Sequence, residues 1–150
     1  MTKSYIVALA VLGIMGGFDA ASADDISVSG NPGALVISSA TAGSDFAPVT
    51  DATTLYDIII DTPGTKKIMG SISTAMPTGT ALRVTLAAPS GATSMGPVPL
   101  SVTAQNLVTG VATGTIENGL GISYAFSAGV QAGVVSGASK TVTLTISDNT

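Results

Sequence analysis

Apolar and polar residues alternate with a period of two along most of the chain beyond residue 23. Successive side chains of an extended strand point to opposite faces, so this alternation predicts half-buried β-strands. Residues 80–87 put Leu82, Val84 and Leu86 on one face and Arg83 and Thr85 on the other. Residues 120–126 align Leu120, Ile122, Tyr124 and Phe126, and residues 141–147 align Val142, Leu144 and Ile146 against threonines and Ser147. Residues 98–102 line up Val98, Leu100 and Val102. In residues 55–61, Tyr56, Ile58 and Ile60 share a face, with Asp57 and Asp61 on the other.

Turn chemistry falls between these runs. Asn31-Pro32-Gly33 separates residues 26–29 from residues 34–39, and Pro63-Gly64 separates residues 55–61 from residues 66–73. Proline presets φ at the first central position and glycine accepts positive φ at the second, so both read as type II turns. Asn118-Gly119 reads as a type I′ hairpin turn between two strands. Pro77-Thr78-Gly79 and Pro89-Ser90-Gly91 mark two more reversals, residues 40–53 read as an exposed connection, and the glycine-rich last third predicts bends or bulges. Eight or nine closely spaced strands without a helix predict an all-β fold, an antiparallel immunoglobulin-like sandwich of about 7–9 strands. A small closed barrel is the alternative.

The first 23 residues break the pattern. Lys3 precedes a continuous apolar run at residues 6–15, and Ala21-Ser22-Ala23 supplies the small-x-small signature of signal-peptidase cleavage. The run is shorter than the about 20 apolar residues that span a bilayer. Residues 1–23 are therefore expected to form a signal-peptide helix, cut between Ala23 and Asp24. Residues 24–150 are expected to be one exported domain with no membrane span.

Composition narrows the chemistry. The chain has no cysteine and no histidine, and its net charge is −4. An acidic chain without a basic stripe is a poor partner for nucleic acid. Only 9% of residues are charged, against about 25% in ordinary domains. The exterior must be built from serine, threonine, glycine, alanine and asparagine, which suits an extracellular protein or a subunit packed into an assembly.

Without His and Cys there is no imidazole base, thiol nucleophile or Ser-His-Asp triad. Carboxylate pairs remain. Asp57 and Asp61, four residues apart on a strand, stand roughly 13 Å from each other at about 3.3 Å per residue, too wide for either glycosidase geometry. A carboxylate hydrolase would have to rest on Asp57 and Glu117. Asp45, Asp51, Asp57 and Asp61 would offer calcium a set of oxygens only if the 40–53 segment folded back on the strand, and no EF-hand spacing is present. Ser139-Lys140 cannot act as a dyad in a regular strand, where neighbours point apart. Lys66-Lys67 reads as a guard against edge pairing. Phe46 and Tyr56 are the aromatics a sugar-binding platform would expose. No catalytic, metal or cofactor residues are assigned.

The cleaved leader, the Thr/Ser/Ala/Gly/Val-rich β-domain and the ending SAGVQAGVVSGASKTVTLTISDN together resemble the cysteine-free fimbrial subunits of the chaperone-usher kind. The resemblance implies an incomplete sandwich completed by a neighbour's N-terminal strand. Residues 24–30, with Ile26 and Val28 as anchors, are the candidate donor; their plainer reading is the first strand of the domain itself. The expected function is an exported, non-catalytic structural or adhesive surface protein, secreted, periplasmic or on a fimbrium, with itself or other surface proteins as partners. The alternative is an exported module that binds a small ligand or carbohydrate.

Overall fold

A computed structural model describes residues 6–7, 23–38, 44–132 and 137–150. The expected signal-peptide helix lies outside the described residues, apart from Ile6 and Val7, which form a short strand. The strands are β1 (Ile6–Val7), β2 (Asp25–Ser29), β3 (Val49–Ile59), β4 (Lys66–Ile72), β5 (Thr80–Leu86), β6 (Thr93–Ser94), β7 (Val98–Pro99), β8 (Gln105–Val111), β9 (Ile116–Ala128) and β10 (Thr141–Asp148). A single 3₁₀ turn, Val130–Ala132, follows β9.

The strands form two five-stranded sheets, β1-β10-β4-β8-β6 and β2-β3-β9-β5-β7, with no strand shared between them. The fold is therefore a β-sandwich and not a closed barrel. Every pairing is antiparallel except β1 with β10, which is parallel. The order β2-β3-β9-β5 matches the A-B-E-D sheet of an immunoglobulin-like sandwich, and β4-β10 matches strands C and F of the facing sheet. The last strand, G, would lie on the outer edge of β10. Among the described residues that edge is taken only by Ile6 and Val7.

The alternating faces meet in one core. Tyr56, Ile58, Leu82, Val84, Leu86, Ile122, Tyr124 and Val142 are buried as their period-two positions predict. Leu100 is buried but Val102 is exposed, because the strand there shrinks to Val98–Pro99. Residues 34–38 carry no regular structure although Leu35 is buried. The expected 40–53 connection is overturned at its end, where β3 begins at Val49. At 31–33 the positive φ falls on Gly30 and not on Gly33, so that turn is not type II, whereas Gly64 has the φ of 97° that its turn requires.

The Asn118-Gly119 hairpin is also corrected. Both residues lie inside β9, and among the described residues no non-glycine residue has positive φ. Tyr56 pairs with Leu120 and Ile58 with Glu117, so β9 carries one extra residue there. Gly119, at φ 69°, makes this a bulge, since a bulge of this type and a type I′ turn place the same conformational demand on glycine.

A second bulge shapes the other sheet. Ile68 pairs with Val108 and Met69 with Asn106, which leaves Leu107 as the extra residue on β8. Leu107 and Val108 are consequently both buried. Gly70 makes this possible, because a Cβ there would stand 2.6 Å from Leu107 Cδ1. Gly70→Ala is expected to cost about 1–3 kcal/mol by overpacking, read as a lower urea midpoint with unchanged slope.

The two core tyrosines differ in their hydroxyls. Tyr56 donates to the carbonyl of Ala87, just past β5 and two strands away in the same sheet. Tyr124 Oη is buried with no partner among the described residues, and burial together with the Asp51 charge pushes its pKa up to about 12. Tyr56→Phe should cost about 1 kcal/mol, whereas Tyr124→Phe should be neutral or stabilising. Paired denaturation curves of the two variants check this.

Candidate functional site

β10 is the strand whose surroundings distinguish it. Its inner side is fully paired with β4 from Val142 to Asp148. A buried lysine fixes each end. Lys140, just before the strand, donates from Nζ to Thr74 Oγ1 at 2.6 Å and to the Ala75 carbonyl at 2.7 Å. Lys66 of β4 reaches Asp148 Oδ1 at 2.5 Å and Asp24 Oδ2 at 3.6 Å. A lysine is rarely buried unless its charge is paired, and these two are held by carboxylates or by oxygen acceptors. The edge strand is thus pinned at both ends while its outer side, from Thr143 to Asp148, has no strand partner among the described residues.

Beside this edge runs a cleft of about 710 Å³ between β10 and β2. Ile26 of β2 and Leu144 and Ile146 of β10 form its apolar wall, and Asp24, Lys66 and Asp148 gather at one end. It lies where the edges of the two sheets approach each other, the position a closing strand would take.

Asp24 ties β2 to this end. Its Oδ1 accepts from the Asp61 amide at 3.0 Å and the Thr62 amide at 2.9 Å, and its Oδ2 accepts from Thr62 Oγ1 at 2.6 Å. Burial works against the charge on Asp24. The Thr62 hydroxyl and amide, the Lys66 ammonium and the Asp61 amide together outweigh it and hold the carboxyl below its usual range. The hydrogen bond to Asp148 and the two carboxylate charges raise the Lys66 pKa, against burial.

The residues singled out in the sequence fall as follows. Ala21 lies outside the described residues, and Ala23 is exposed at the mouth of the cleft. Ile26 and Val28 sit in β2, registered with Ile58 and Tyr56 of β3 in their own sheet. Ser139 is exposed and Lys140 buried, with the lysine spent on Thr74 and Ala75. The reading of Lys66-Lys67 as an edge guard is corrected, since β4 is an interior strand. Tyr56 is fully buried and Phe46 half-buried, which removes Tyr56 as a sugar platform.

The early acids do not converge, and among the described residues no three acids stand close enough to hold a metal. Most serve backbone amides instead. Asp51 accepts from the Thr53 amide and hydroxyl and from the Gly33 amide, and those bonds hold its carboxyl below the usual range. Asp57 Oδ1 accepts from the Gly119 amide at 2.7 Å, so it caps the β9 bulge. Asp45 Oδ1 accepts from the Val130 amide, and Glu117 Oε1 from the Ser90 amide.

No helix among the described residues is long and apolar enough to cross a membrane. Comparison with protein-family models, with curated proteins and with solved structures found no match for this chain.

The Asp24 geometry sets a pH dependence. A carboxyl with a depressed folded pKa contributes stability that is present above its unfolded pKa and lost as the pH falls through the folded one. Asp24→Asn should cost about 1–2 kcal/mol at neutral pH, the scale of charged hydrogen bonds. The difference from wild type should shrink as the pH drops below about 4, as measured by urea denaturation across that range.

Proposed function

We propose that this protein is an exported, non-catalytic structural subunit that joins a partner by strand addition along β10. The observation that carries the reading is the sandwich order: strands equivalent to A-B-E-D and C-F are in place, while among the described residues the outer edge of the F-like strand holds two residues of the segment read as a leader. Removal of that segment leaves a pinned strand edge beside an apolar cleft, the arrangement that strand addition uses. Exposed edges are ordinarily blunted by inward charges, proline or a bulge. β10 contains neither proline nor a lysine, and its pairing with β4 is free of register shifts.

The donor is the open part of the reading. Only Asp24 separates the expected cut from β2, so residues 24–30 are no free extension in this fold; Ile26 and Val28 already pair with β3. Donation by Ile26 and Val28 therefore requires β2 to leave β3 and cross to a neighbour; otherwise the strand comes from another segment or another protein. Of the two aromatics the small-ligand alternative would expose, Tyr56 is fully buried and Phe46 half-buried.

The cysteine-free chain allows a direct test. Ser29 and Leu55 are registered across β2 and β3, and both are exposed. In exported protein carrying Ser29→Cys and Leu55→Cys, disulfides between chains along an SDS-resistant ladder are the expected result if β2 is the donor. Bonds within chains of a fibre place the donor in another segment or another protein. A strictly monomeric exported protein, seen by electron microscopy and light scattering, ends the assembly reading.

A further inference from the structure

We infer that Lys66 and Asp148 are a self-cross-linking pair: the Lys66 side-chain nitrogen condenses with the Asp148 carboxyl to an amide, with Asp24 carrying the proton and one water released.

Three groups meet at one end of the cleft. Lys66 Nζ lies 2.5 Å from Asp148 Oδ1 and 3.6 Å from Asp24 Oδ2. Each group is held on ordered backbone. Lys66 and Asp148 are registered opposite each other on β4 and β10. Just beyond them the Asn149 amide donates to the Thr65 carbonyl at 2.9 Å, which fixes the chain on the far side of Asp148. Asp24 is fastened by the Asp61 and Thr62 amides and by the Thr62 hydroxyl. Groups fixed in contact within one molecule react as if at about 10⁵–10⁸ M, and that advantage offsets the tendency of an amide to hydrolyse in water.

The surroundings treat the two partners differently. The Lys66 side chain is 9% exposed and that of Asp148 is 70% exposed. The amine is shielded from solvent, beside the cleft that Ile26, Leu144 and Ile146 line. The carboxyl opens to water, the route by which the released oxygen departs. A shielded ammonium gives up hydration to sit between two carboxylates. Condensation replaces one of those ion pairs with a neutral amide.

The step balances without a co-reactant. The Lys66 ammonium passes one proton to the Asp24 carboxylate, and the freed lone pair attacks Asp148 Cγ. As the C–N bond forms, the C=O π pair moves onto oxygen. The tetrahedral carbon then expels one oxygen, which takes the proton held by Asp24 and a second from the nitrogen and leaves as water. Asp24 ends as the carboxylate it began as. The neighbouring carboxylates raise the Lys66 pKa, and hydrogen bonds hold the Asp24 carboxyl below its usual range. Proton transfer between the two is therefore the uphill step, and the bond forms slowly in the folded chain.

The other buried lysine marks what this place adds. Lys140 Nζ meets the Thr74 hydroxyl and the Ala75 carbonyl, and neither is a carboxyl. The amide at Lys66 closes a loop across 82 positions of sequence, in a chain with no cysteine to do so.

The test uses the full chain, purified folded and incubated at neutral pH. Its intact mass should fall below the sum of its residues, between the termini found, by the mass of one water. Peptide mapping should give a branched peptide joining Lys66 to Asp148. Lys66→Arg and Asp148→Ala should keep the full mass. Asp24→Asn should slow the conversion roughly 10²-fold or more, the scale of general acid–base catalysis, with circular dichroism showing that the variant is folded. A wild-type mass that stays at the full sum overturns the inference, and so does a branch at Asp24 in place of Asp148. Conversion of folded Asp24→Asn at the wild-type rate overturns the role of Asp24. The wild-type mass and map decide the bond even where a variant fails to fold. Both are read on the single chain, so failure to assemble bears on the strand-addition reading alone.

Discussion

The pairing of β3 with β9 is what the rest of the sandwich depends on. These are the two longest strands, and they lie at the centre of one sheet, with β2 beyond one and β5 beyond the other. Two strands of such length twist and drift out of step unless something absorbs the mismatch. Here a bulge on each strand absorbs it, one between Asp51 and Thr54 and one between Glu117 and Leu120. A bulge leaves an amide without its ladder partner, and in both cases a carboxylate on β3 supplies the acceptor: Asp51 for Thr53 and Asp57 for Gly119. The acids that stand out in so weakly charged a chain are therefore structural bonds of the central strand pair. Because Tyr56 and Ile58 lie beside these bulges and at the bottom of the core, the position of both sheets follows from them.

Much of this was legible from residue order. Period-two alternation located the inner faces of β3, β5, β9 and β10, since burial of one face imposes that period regardless of the rest of the fold. Features that depend on distant partners were not legible. Lys66 meets Asp148 across 82 positions of sequence, so a lysine pair in a strand read as edge protection when one of the two is a buried ion-pair member. Asn118-Gly119 misled for a different reason: left-handed glycine geometry serves hairpins and bulges alike, and only the pairing register separates them. The alternation of β10 was plain, but nothing in its residues marks it as an edge. That status comes from the order of strands in the sheet, and the candidate site was invisible for the same reason.

The pinned geometry of β10 bears on how an edge can be both exposed and well formed. A strand paired on one side alone tends to fray, and ordering it on binding would consume part of the affinity. Lys140 at one end and the Lys66 cluster at the other hold the strand extended before any partner arrives. Core contacts through Val142 and Leu144 hold its middle. On the strand-addition proposal, an incoming strand would then meet a preformed template.

The same lysines bear on how the domain resists proteolysis. Beyond residue 23 the chain has four basic residues, Lys66, Lys67, Arg83 and Lys140. Two are buried, and the other two lie inside the paired strands β4 and β5. A trypsin-like protease needs a flexible, exposed stretch around its target residue. Lys66, Lys67 and Arg83 do not lie in one, and Lys140, though it follows the exposed residues 137–139, is itself buried, so the fold rather than a disulfide shields these bonds.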